Sequence, residues 1–419
     1  MKFGLFLYRI ATFTAAPVIF LWFYHRTRNG KESRDRLHER HARSLPNRPA
    51  GKLVWLHGAS IGECKLLLAV VKALQAHRPD LGFLLTSQTA SAAKIIADQL
   101  PDNTQHQMAP LDTPAISRRF ISHWRPDLFV LAESEIWPNL LGATQLNGTA
   151  TALINARMTE SSLARWQKYT RSAQKIFSQF DLINVVDKDT AALISTAAGR
   201  QVETTCNLKI GAAAPSMAPG CTANTHSLSQ KDEGKLLLGA STHAGEEALL
   251  IDAFKTLPPD TRLILAPRHA ERVQEISTLL DTEDIPHAIR SKGRNMSDSI
   301  RVLIADTFGE MDLWYSRADI VYLGGGQHQE IGGHNPIEPL SYGKPVLSGS
   351  HTKNFADIFA ELRDLGMIHT VSTSAEIASA FNTATVPDRD QLERFVADGK
   401  QQFDQTIASL LALLEQPAP

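Results

Sequence analysis

The 419-residue chain has few cysteines and almost no net charge. Its three cysteines, Cys64, Cys206 and Cys221, are far apart and form no CxxC pair, which argues against a disulfide framework and predicts a reducing compartment, the cytoplasm. Lysine and arginine number 43 and aspartate and glutamate 44, so the formal net charge is -1. Such a chain has no global field to draw it onto nucleic acid, and an anionic ligand must be bound by local groups.

Two familiar site signatures are also missing. No GxGxxG fingerprint follows a strand, and no acidic residue after the next strand is placed to bind a ribose, which argues against a nicotinamide site. His328, Glu330 and His334 lie in one glycine-rich loop without the HExxH spacing of a helical metal site. We therefore expect neither a metal nor a cofactor.

The composition is that of a packed globular protein, with 43% hydrophobic residues, 25 glycines and 21 prolines. Short apolar β-rich runs alternate with helical patterns from Leu53 onward, which is the rhythm of a parallel sheet covered on both faces. The rhythm stops in a segment rich in alanine, proline and serine and then restarts. We predict an α/β fold of two Rossmann-like doubly wound domains, over residues 27–211 and 235–419, joined by a linker over 212–234.

The N-terminal segment, residues 1–26, is apolar and aromatic over roughly the length that a bilayer requires, although Arg9 and Pro17 interrupt it. No small-residue cleavage site follows, and Trp22 and nearby aromatics lead into a run of basic residues. The pattern predicts a membrane anchor with the rest of the chain on the cytoplasmic side. A buried core helix is the alternative, and the pattern leaves open whether the anchor crosses the bilayer or lies in its surface.

Polar residues follow several predicted strands, where parallel sheets bind their ligands. Glu63, in the segment HGASIGE, is placed near the start of a helix, where a glutamate acts either as a base or as a partner of the helix dipole. The segment ESEIWPN adds Glu133 and Glu135, a carboxylate pair suited either to proton chemistry or to a hydrogen-bonded structural role. Arg157 and Lys209 follow later strands and either bind phosphate or lie on the surface.

The second half carries a denser signal. Arg268 and His269 come directly after a strand, where arginine binds phosphate in a bidentate manner. The segment FGEM, residues 308–311, offers backbone N–H groups at a helix start. Glycines follow the strand DIVYLG, and Asn335 and Pro336 then open a helix with Glu338 in its first turn. Together these features predict a nucleotide site.

The motifs together resemble the family of 3-deoxy-D-manno-octulosonic acid (Kdo) transferases, which are GT-B glycosyltransferases of lipopolysaccharide synthesis. The resemblance covers nearly the whole chain and rests on motifs in the same order: the N-terminal segment, HGASIGE, ESEIWPN, NARMTESS, NLK, PRH, GEM, GGHNPIEP and GKPVLSG. Two departures are Cys206 and Gly211, where the family usually has glycine and aspartate. The stretch from Gln327 to Glu330 is also more polar than in the family.

The resemblance implies that Glu63 is the general base and that Glu133 and Lys209 assist the transition state. It implies metal-independent, inverting transfer of Kdo from CMP-Kdo to a lipid A precursor at the cytoplasmic side of the inner membrane. No obligate protein partner can be read from the sequence. The residues implied in donor binding are Arg268, His269, Gly309, Glu310, Met311, Asn335, Pro336, Ile337 and Glu338. The alternatives are an inverting GT-B transferase that uses a UDP-sugar and an inert nucleotide-binding scaffold at the membrane.

Overall fold

Helices and parallel strands alternate in two compact units of the computed structural model, one formed by Met1–Ala212 with Asp398–Pro419 and the other by Ala213–Ala397. The structure describes residues 3–28, 32–97, 99–158, 160–202, 204–205, 207–213, 234–293, 296–297, 299–307, 309–353 and 355–416.

The first unit contains six strands, and each is followed by a helix. Its strands are β1 (Leu53–Gly58), β2 (Gly82–Ser87), β3 (Thr104–Met108), β4 (Leu128–Ala132), β5 (Ala150–Ala156) and β6 (Leu182–Val185). Its helices are α1 (Phe3–Arg28), α2 (Leu37–Arg40), α3 (Ile61–His77), α4 (Ala90–Ala97), α5 (Pro114–Trp124), α6 (Pro138–Leu146), α7 (Glu160–Lys168), α8 (Thr170–Phe177), α9 (Lys188–Ala198) and α10 (Leu208–Ala213).

The second unit repeats this architecture with seven strands. They are β7 (Leu236–Thr242), β8 (Arg262–Pro267), β9 (His287–Ile289), β10 (Val302–Ile304), β11 (Ile320–Leu323), β12 (Val346–Ser348) and β13 (Ile368–Thr370). The helices that follow are α11 (Glu246–Thr256), α12 (Val273–Thr282), α13 (Met311–Arg317), α14 (Ile337–Leu340), α15 (Ala356–Asp364), α16 (Ser374–Thr383) and α17 (Arg389–Glu415), with short 3-10 turns at Ala270–Arg272 and Arg290–Lys292.

Both sheets are wholly parallel and both reverse their strand order in the middle. The first runs β3-β2-β1-β4-β5-β6 and the second β13-β12-β11-β7-β8-β10-β9. The order reverses between β1 and β4 in the first sheet and between β7 and β11 in the second. Ligands of open α/β sheets bind at such switch points, beyond the carboxyl ends of the strands.

Local sequence explains where these elements begin. Ser60 and Thr113 cap α3 and α5, because each side-chain oxygen accepts the N–H of the residue three positions on. The central strands β1, β2 and β4 are buried along their whole length, as their continuous apolar runs require. The predicted doubly wound α/β fold is therefore confirmed.

The C-terminal segment belongs to a different unit from the one that the sequence predicts. Residues 398–419 fall in the first unit, whereas the prediction assigned all of 235–419 to the second domain. The reason is the apolar stripe of α17: Phe403, Ile407 and Leu410 pack in one core with strands of the first sheet. Gly211 permits this packing, because a Cβ there would lie 2.4 Å from the carbonyl oxygen of Gly399. Most of the predicted linker, residues 214–233, lies outside the described residues.

Candidate functional site

Glu63 begins the helix that follows the first central strand. Its carboxylate accepts the N–H of Ala59 at 2.8 Å and that of Ser60 at 3.2 Å, and its own N–H is donated to Ser60 Oγ at 3.2 Å. This reciprocal arrangement is a capping box. Gly58 makes it possible, because a Cβ at that position would lie 2.9 Å from the Glu63 Cβ.

The surroundings of Glu63 favour its protonated form. Glu63 as a residue is only 6% exposed, and burial is the largest influence that raises the pKa of its carboxyl group. The hydrogen bonds from Ser60 and Ala59 act in the opposite direction, while the negative charges of Glu133 and Glu135 raise the pKa further. A carboxyl with increased proton affinity suits a general base, and the same contacts suit a structural cap.

Glu133 and Lys209 form an ion pair beside Glu63. Glu133 follows β4 with a φ of 58°, in the left-handed region that non-glycine residues seldom adopt. Its Oε1 lies 2.6 Å from the Lys209 Nζ, and the two side chains are 24% and 18% exposed. Because Glu63 follows β1 and Glu133 follows β4, the two carboxylates flank the switch point of the first sheet.

Lys209 is positioned by asparagines whose role the sequence did not reveal. Asn155, at a φ of 54° within β5, accepts the N–H of Leu208 at 2.8 Å, and Asn207 accepts the N–H of Lys209 at 3.1 Å. These bonds hold the start of α10, from which the lysine projects. Arg157 lies two residues after Asn155, and the sequence analysis had proposed it as a phosphate-binding cation; in the structure its side chain is exposed.

Glu135, the second carboxylate of the ESEIWPN segment, contacts a histidine that the sequence analysis also missed. His57 Nε2 lies 3.6 Å from Glu135 Oε2, and the Trp137 indole N–H donates to the same carboxylate at 3.0 Å. His57 Nδ1 and Thr86 Oγ1 are 2.9 Å apart. His57 is the fifth residue of the buried strand β1. Nothing in the sequence around it indicated a role different from that of the neighbouring core residues.

In the second unit, Arg268 follows β8 and its N–H donates to the carbonyl of Thr242 at 3.0 Å. The pKa of Glu338 is raised, mainly by burial and also by the charge of Asp312, whereas the charge of Arg268 lowers it. Arg268 and Glu338 are therefore within electrostatic reach of each other. His269 lies next to Arg268, and its ring centroid is 5.8 Å from that of His243.

The segment at the start of α13 is held by an ion pair. Arg290 donates to both oxygens of Glu310, at 3.1 and 2.8 Å, and holds the pKa of that carboxyl below its usual value. Thr307 also donates to Glu310. Gly309 has a φ of 78°, Met311 is the first residue of α13, and residue 308 lies outside the described residues.

The glycine loop after β11 is organised by Glu246, which the sequence analysis did not select. This fully buried carboxylate accepts the N–H of Gly325 and that of His243 at 2.9 Å and the N–H of Gln327 at 3.2 Å, and it also accepts the hydroxyl of Tyr322 at 3.2 Å. One signal in the sequence could have identified Glu246. The tripeptide Gly-Ala-Ser occurs at the end of β1 (58–60) and within β7 (239–241), and a Gly-Glu pair follows it in both places (62–63 and 245–246).

The remaining loop residues lie around this carboxylate. The side-chain amide of Gln327 also donates to the carbonyl of Val371 at 2.8 Å, so this polar side chain is hydrogen-bonded to the protein. His243 Nε2 is 2.9 Å from His334 Nε2, and burial lowers the pKa of His243 to about 4. Asn335 accepts the N–H of Ile337 at 3.1 Å, and Pro336 precedes the first residue of α14.

Comparisons with known proteins agree with this architecture. A family model described as 3-deoxy-D-manno-octulosonic-acid transferase (kdotransferase) matches residues 35–212. A probable mitochondrial 3-deoxy-D-manno-octulosonic acid transferase of Arabidopsis thaliana is 30% identical over 402 residues, which cover 91% of this chain and 88% of the relative. The chain belongs to the Kdo transferase family. It is therefore a glycosyltransferase.

Further relatives carry the same name. The 3-deoxy-D-manno-octulosonic acid transferase of Bordetella pertussis is 31% identical over 369 residues and covers 84% of each chain. Among solved structures, MurG of Acinetobacter baumannii aligns with a TM-score of 0.50 at 15% identity and covers 86% of this chain and 100% of that one. With the two parallel sheets, this likeness identifies the GT-B fold and confirms the expected fold class.

Proposed function

We propose that this Kdo transferase moves Kdo from CMP-Kdo to the lipid A precursor lipid IVA, with inversion and without a metal ion, at the cytoplasmic side of the inner membrane. The observation that carries the proposal is the buried carboxyl of Glu63, with its raised pKa, beside the Glu133–Lys209 ion pair. Both features lie at the switch point of the first sheet, the position where such folds carry out chemistry.

In this reaction Glu63 accepts the proton of an acceptor hydroxyl while that oxygen attacks the anomeric carbon of Kdo. The bond from that carbon to the phosphate oxygen of CMP breaks at the same time, and CMP leaves with the electron pair. Because the phosphate is already a weak base, its departure needs no general acid. A single direct displacement inverts the anomeric centre, and Lys209 with Glu133 stabilises the charge that develops.

The second unit supplies donor binding. Arg268 is proposed to bind the CMP phosphate and Glu338 the ribose hydroxyls, since a guanidinium and a carboxylate suit those two groups. Their electrostatic coupling supports a shared site. The other proposed donor-binding residues are His269, Gly309, Glu310, Met311, Asn335, Pro336 and Ile337.

One observation favours a second candidate, the inert scaffold. Both oxygens of Glu63 accept backbone N–H groups, so its presence has a purely structural explanation. The variant Glu63→Gln separates the two, because it keeps the backbone N–H bond to Ser60 and one of the two side-chain acceptors but cannot accept the proton.

The test is transfer from CMP-Kdo to tetra-acylated lipid A precursor in the presence of a chelator, with the wild type beside Glu63→Gln. Products are resolved by mass, the anomeric configuration is read by NMR, and CMP and UDP are compared as competitors. Inverted, metal-free product from the wild type alone, with inhibition by CMP, supports the proposal. Inhibition by UDP with no Kdo product indicates a UDP-sugar transferase, and equal activity of the two proteins excludes Glu63 as the base.

A further inference from the structure

Helix α1 has two faces with different surroundings. The covered face consists of Leu5, Tyr8, Thr12, Ala15, Ile19 and Phe23, spaced three or four residues apart and each buried or half-buried. The outer face consists of Phe6, Ile10, Phe13, Phe20, Leu21 and Tyr24, each between 38% and 65% exposed. The helix is thus apolar on both sides, but only one side is covered by the protein.

The covered face makes specific contacts near both ends of the helix. The Tyr8 hydroxyl donates to Asp112 at 2.9 Å, and the Asn139 side-chain amide donates to Thr12 Oγ1 at 3.1 Å. Near the far end, the Arg40 guanidinium lies 5.0 Å from the centroid of the Phe23 ring. Polar contacts of this kind belong to a helix that rests on a folded unit.

The length of the contact excludes a simple bilayer crossing in this arrangement. From Leu5 to Phe23 the helix rises about 27 Å at 1.5 Å per residue, and the hydrocarbon core of a bilayer is about 30 Å thick. The first unit therefore lies beside nearly all of the length that would have to cross. A helix that spanned the bilayer while docked in this way would draw Asp112, Asn139 and Arg40 into hydrocarbon, which is strongly unfavourable.

Charge favours an anionic lipid surface as the partner of the outer face. Residues 1–31 contain no aspartate or glutamate, and their basic residues are Lys2, Arg9, Arg26, Arg28 and Lys31. On the outer face, the exposed Arg28 lies over the ring of Tyr24, at 5.4 Å from the ring centroid. Aromatic residues beside arginines are typical of the interface between headgroups and acyl chains.

We propose that α1 lies in the plane of the membrane surface, docked on the first unit by its covered face, with the outer face in the boundary between headgroups and acyl chains. Its length and composition alone would also fit a crossing helix. A crossing helix would expose apolar side chains to lipid on all sides, whereas the covered face of α1 contacts the protein. The inference refines the membrane location in the proposed function and is independent of donor, acceptor and base.

The arrangement has a consequence for the site. A cavity of about 290 Å³ lies between α1 and the residues that follow β2, β3 and β4, with Tyr8, Thr89, Thr113 and Trp137 in its walls. The carboxyl edge of the first sheet, where Glu63 lies, would then be held close to the lipid surface. An acceptor could present its sugar to this edge while its acyl chains stay in the membrane.

A disulfide tests the docking directly. A Cβ at Gly4 would lie 3.8 Å from the Cβ of Ser172, which is the ordinary separation in a disulfide. The double variant Gly4→Cys with Ser172→Cys is expected to link in enzyme bound to vesicles of phosphatidylethanolamine and phosphatidylglycerol, and the linked enzyme should stay bound. The readout is the mass of the linked peptide, so the native cysteines do not interfere. Thr14→Cys with Ser172→Cys is the control that should not link.

Absence of the link in vesicles, whether or not it forms in detergent, overturns the proposal, as does release of the linked enzyme from vesicles. Vesicle binding and linkage are read without any transfer assay, so a failure here differs from a failure of the proposed function. Intact transfer by the linked enzyme would add that the docked state is the active one.

A second variant tests lipid as the partner. Phe13→Asp places a charge on the outer face and should weaken co-sedimentation with these vesicles about tenfold or more, since an aromatic side chain is no longer buried in lipid. Leu146→Asp is the matched control, because Leu146 is an exposed apolar residue elsewhere on the first unit. Unchanged binding of Phe13→Asp, or an equal loss in both variants, overturns the proposal.

Discussion

Glu63 and Glu246 occupy corresponding places in the two units, since each lies at the start of the helix that follows a central strand. Glu63 accepts N–H groups of its own turn and has two further carboxylates and the Lys209 ion pair near it. Glu246 also accepts one N–H of its own turn, that of His243, but in addition it accepts two N–H groups from the loop that follows the neighbouring strand β11. The same residue at the same point of the fold is therefore suited to proton chemistry in one unit and to loop architecture in the other, because its neighbours differ.

The largest effect is expected from Glu63→Gln. Loss of a general base should lower kcat about 10²- to 10⁴-fold, while the loss of one of two N–H acceptors should lower the unfolding free energy by only about 1 kcal/mol, because the other acceptor and the Ser60 cap remain. In the wild type, kcat/KM should fall as pH decreases through the raised pKa of Glu63, so the acid limb should lie above the ordinary pKa of glutamate. A variant that unfolds as it loses activity would instead favour the structural interpretation.

The second largest effect is expected from Glu246→Ala. Removal of this carboxylate takes the acceptor from one buried and two part-buried N–H groups, which should cost on the order of 3 kcal/mol of unfolding free energy and weaken CMP binding. Denaturant unfolding and calorimetry measure the two quantities. Glu393→Ala is the control, because its side chain is 50% exposed and its ion-pair partner Arg389 is 82% exposed. Equal effects of the two substitutions would contradict the proposed role of Glu246.

Lys209→Met should separate function from stability in the first unit. The Lys209–Glu133 pair is partly exposed, so its loss should change the unfolding free energy by less than about 1 kcal/mol. Activity should nevertheless fall about tenfold or more, because charge stabilisation in the transition state is lost. Kinetics and unfolding are compared with those of Lys168→Met, whose lysine is exposed on α7. An activity loss no greater than that of the control would remove Lys209 from the site.

The smallest effect is expected from Glu133→Gln on the pH profile. The negative charge of Glu133 raises the pKa of Glu63, but burial is the larger cause and remains. The acid limb of kcat/KM should therefore move to lower pH, by less than about one unit. Glu135→Gln should move it in the same direction by a smaller amount. A shift to higher pH in either variant would show that another group controls the limb.

Much of the fold was predictable because its signals are local. Continuous apolar strands alternate with helical patterns, and caps such as Ser60 mark where the helices begin. Glu63, Glu133 and Lys209 were each found from their positions after strands and from the resemblance to the Kdo transferases. Their roles in catalysis stay predictions until the variants are measured.

The alternation of strands and helices, the two parallel sheets and the family can all be read along the chain, because they depend on periodicity and motif order. The folded protein was needed to show which unit covers α17, which loop Glu246 holds, how Asn155 supports Lys209 and which face of α1 is covered. These are contacts between residues far apart in the chain. Such contacts depend on burial and on the packing of whole elements, for which a local pattern carries no signal.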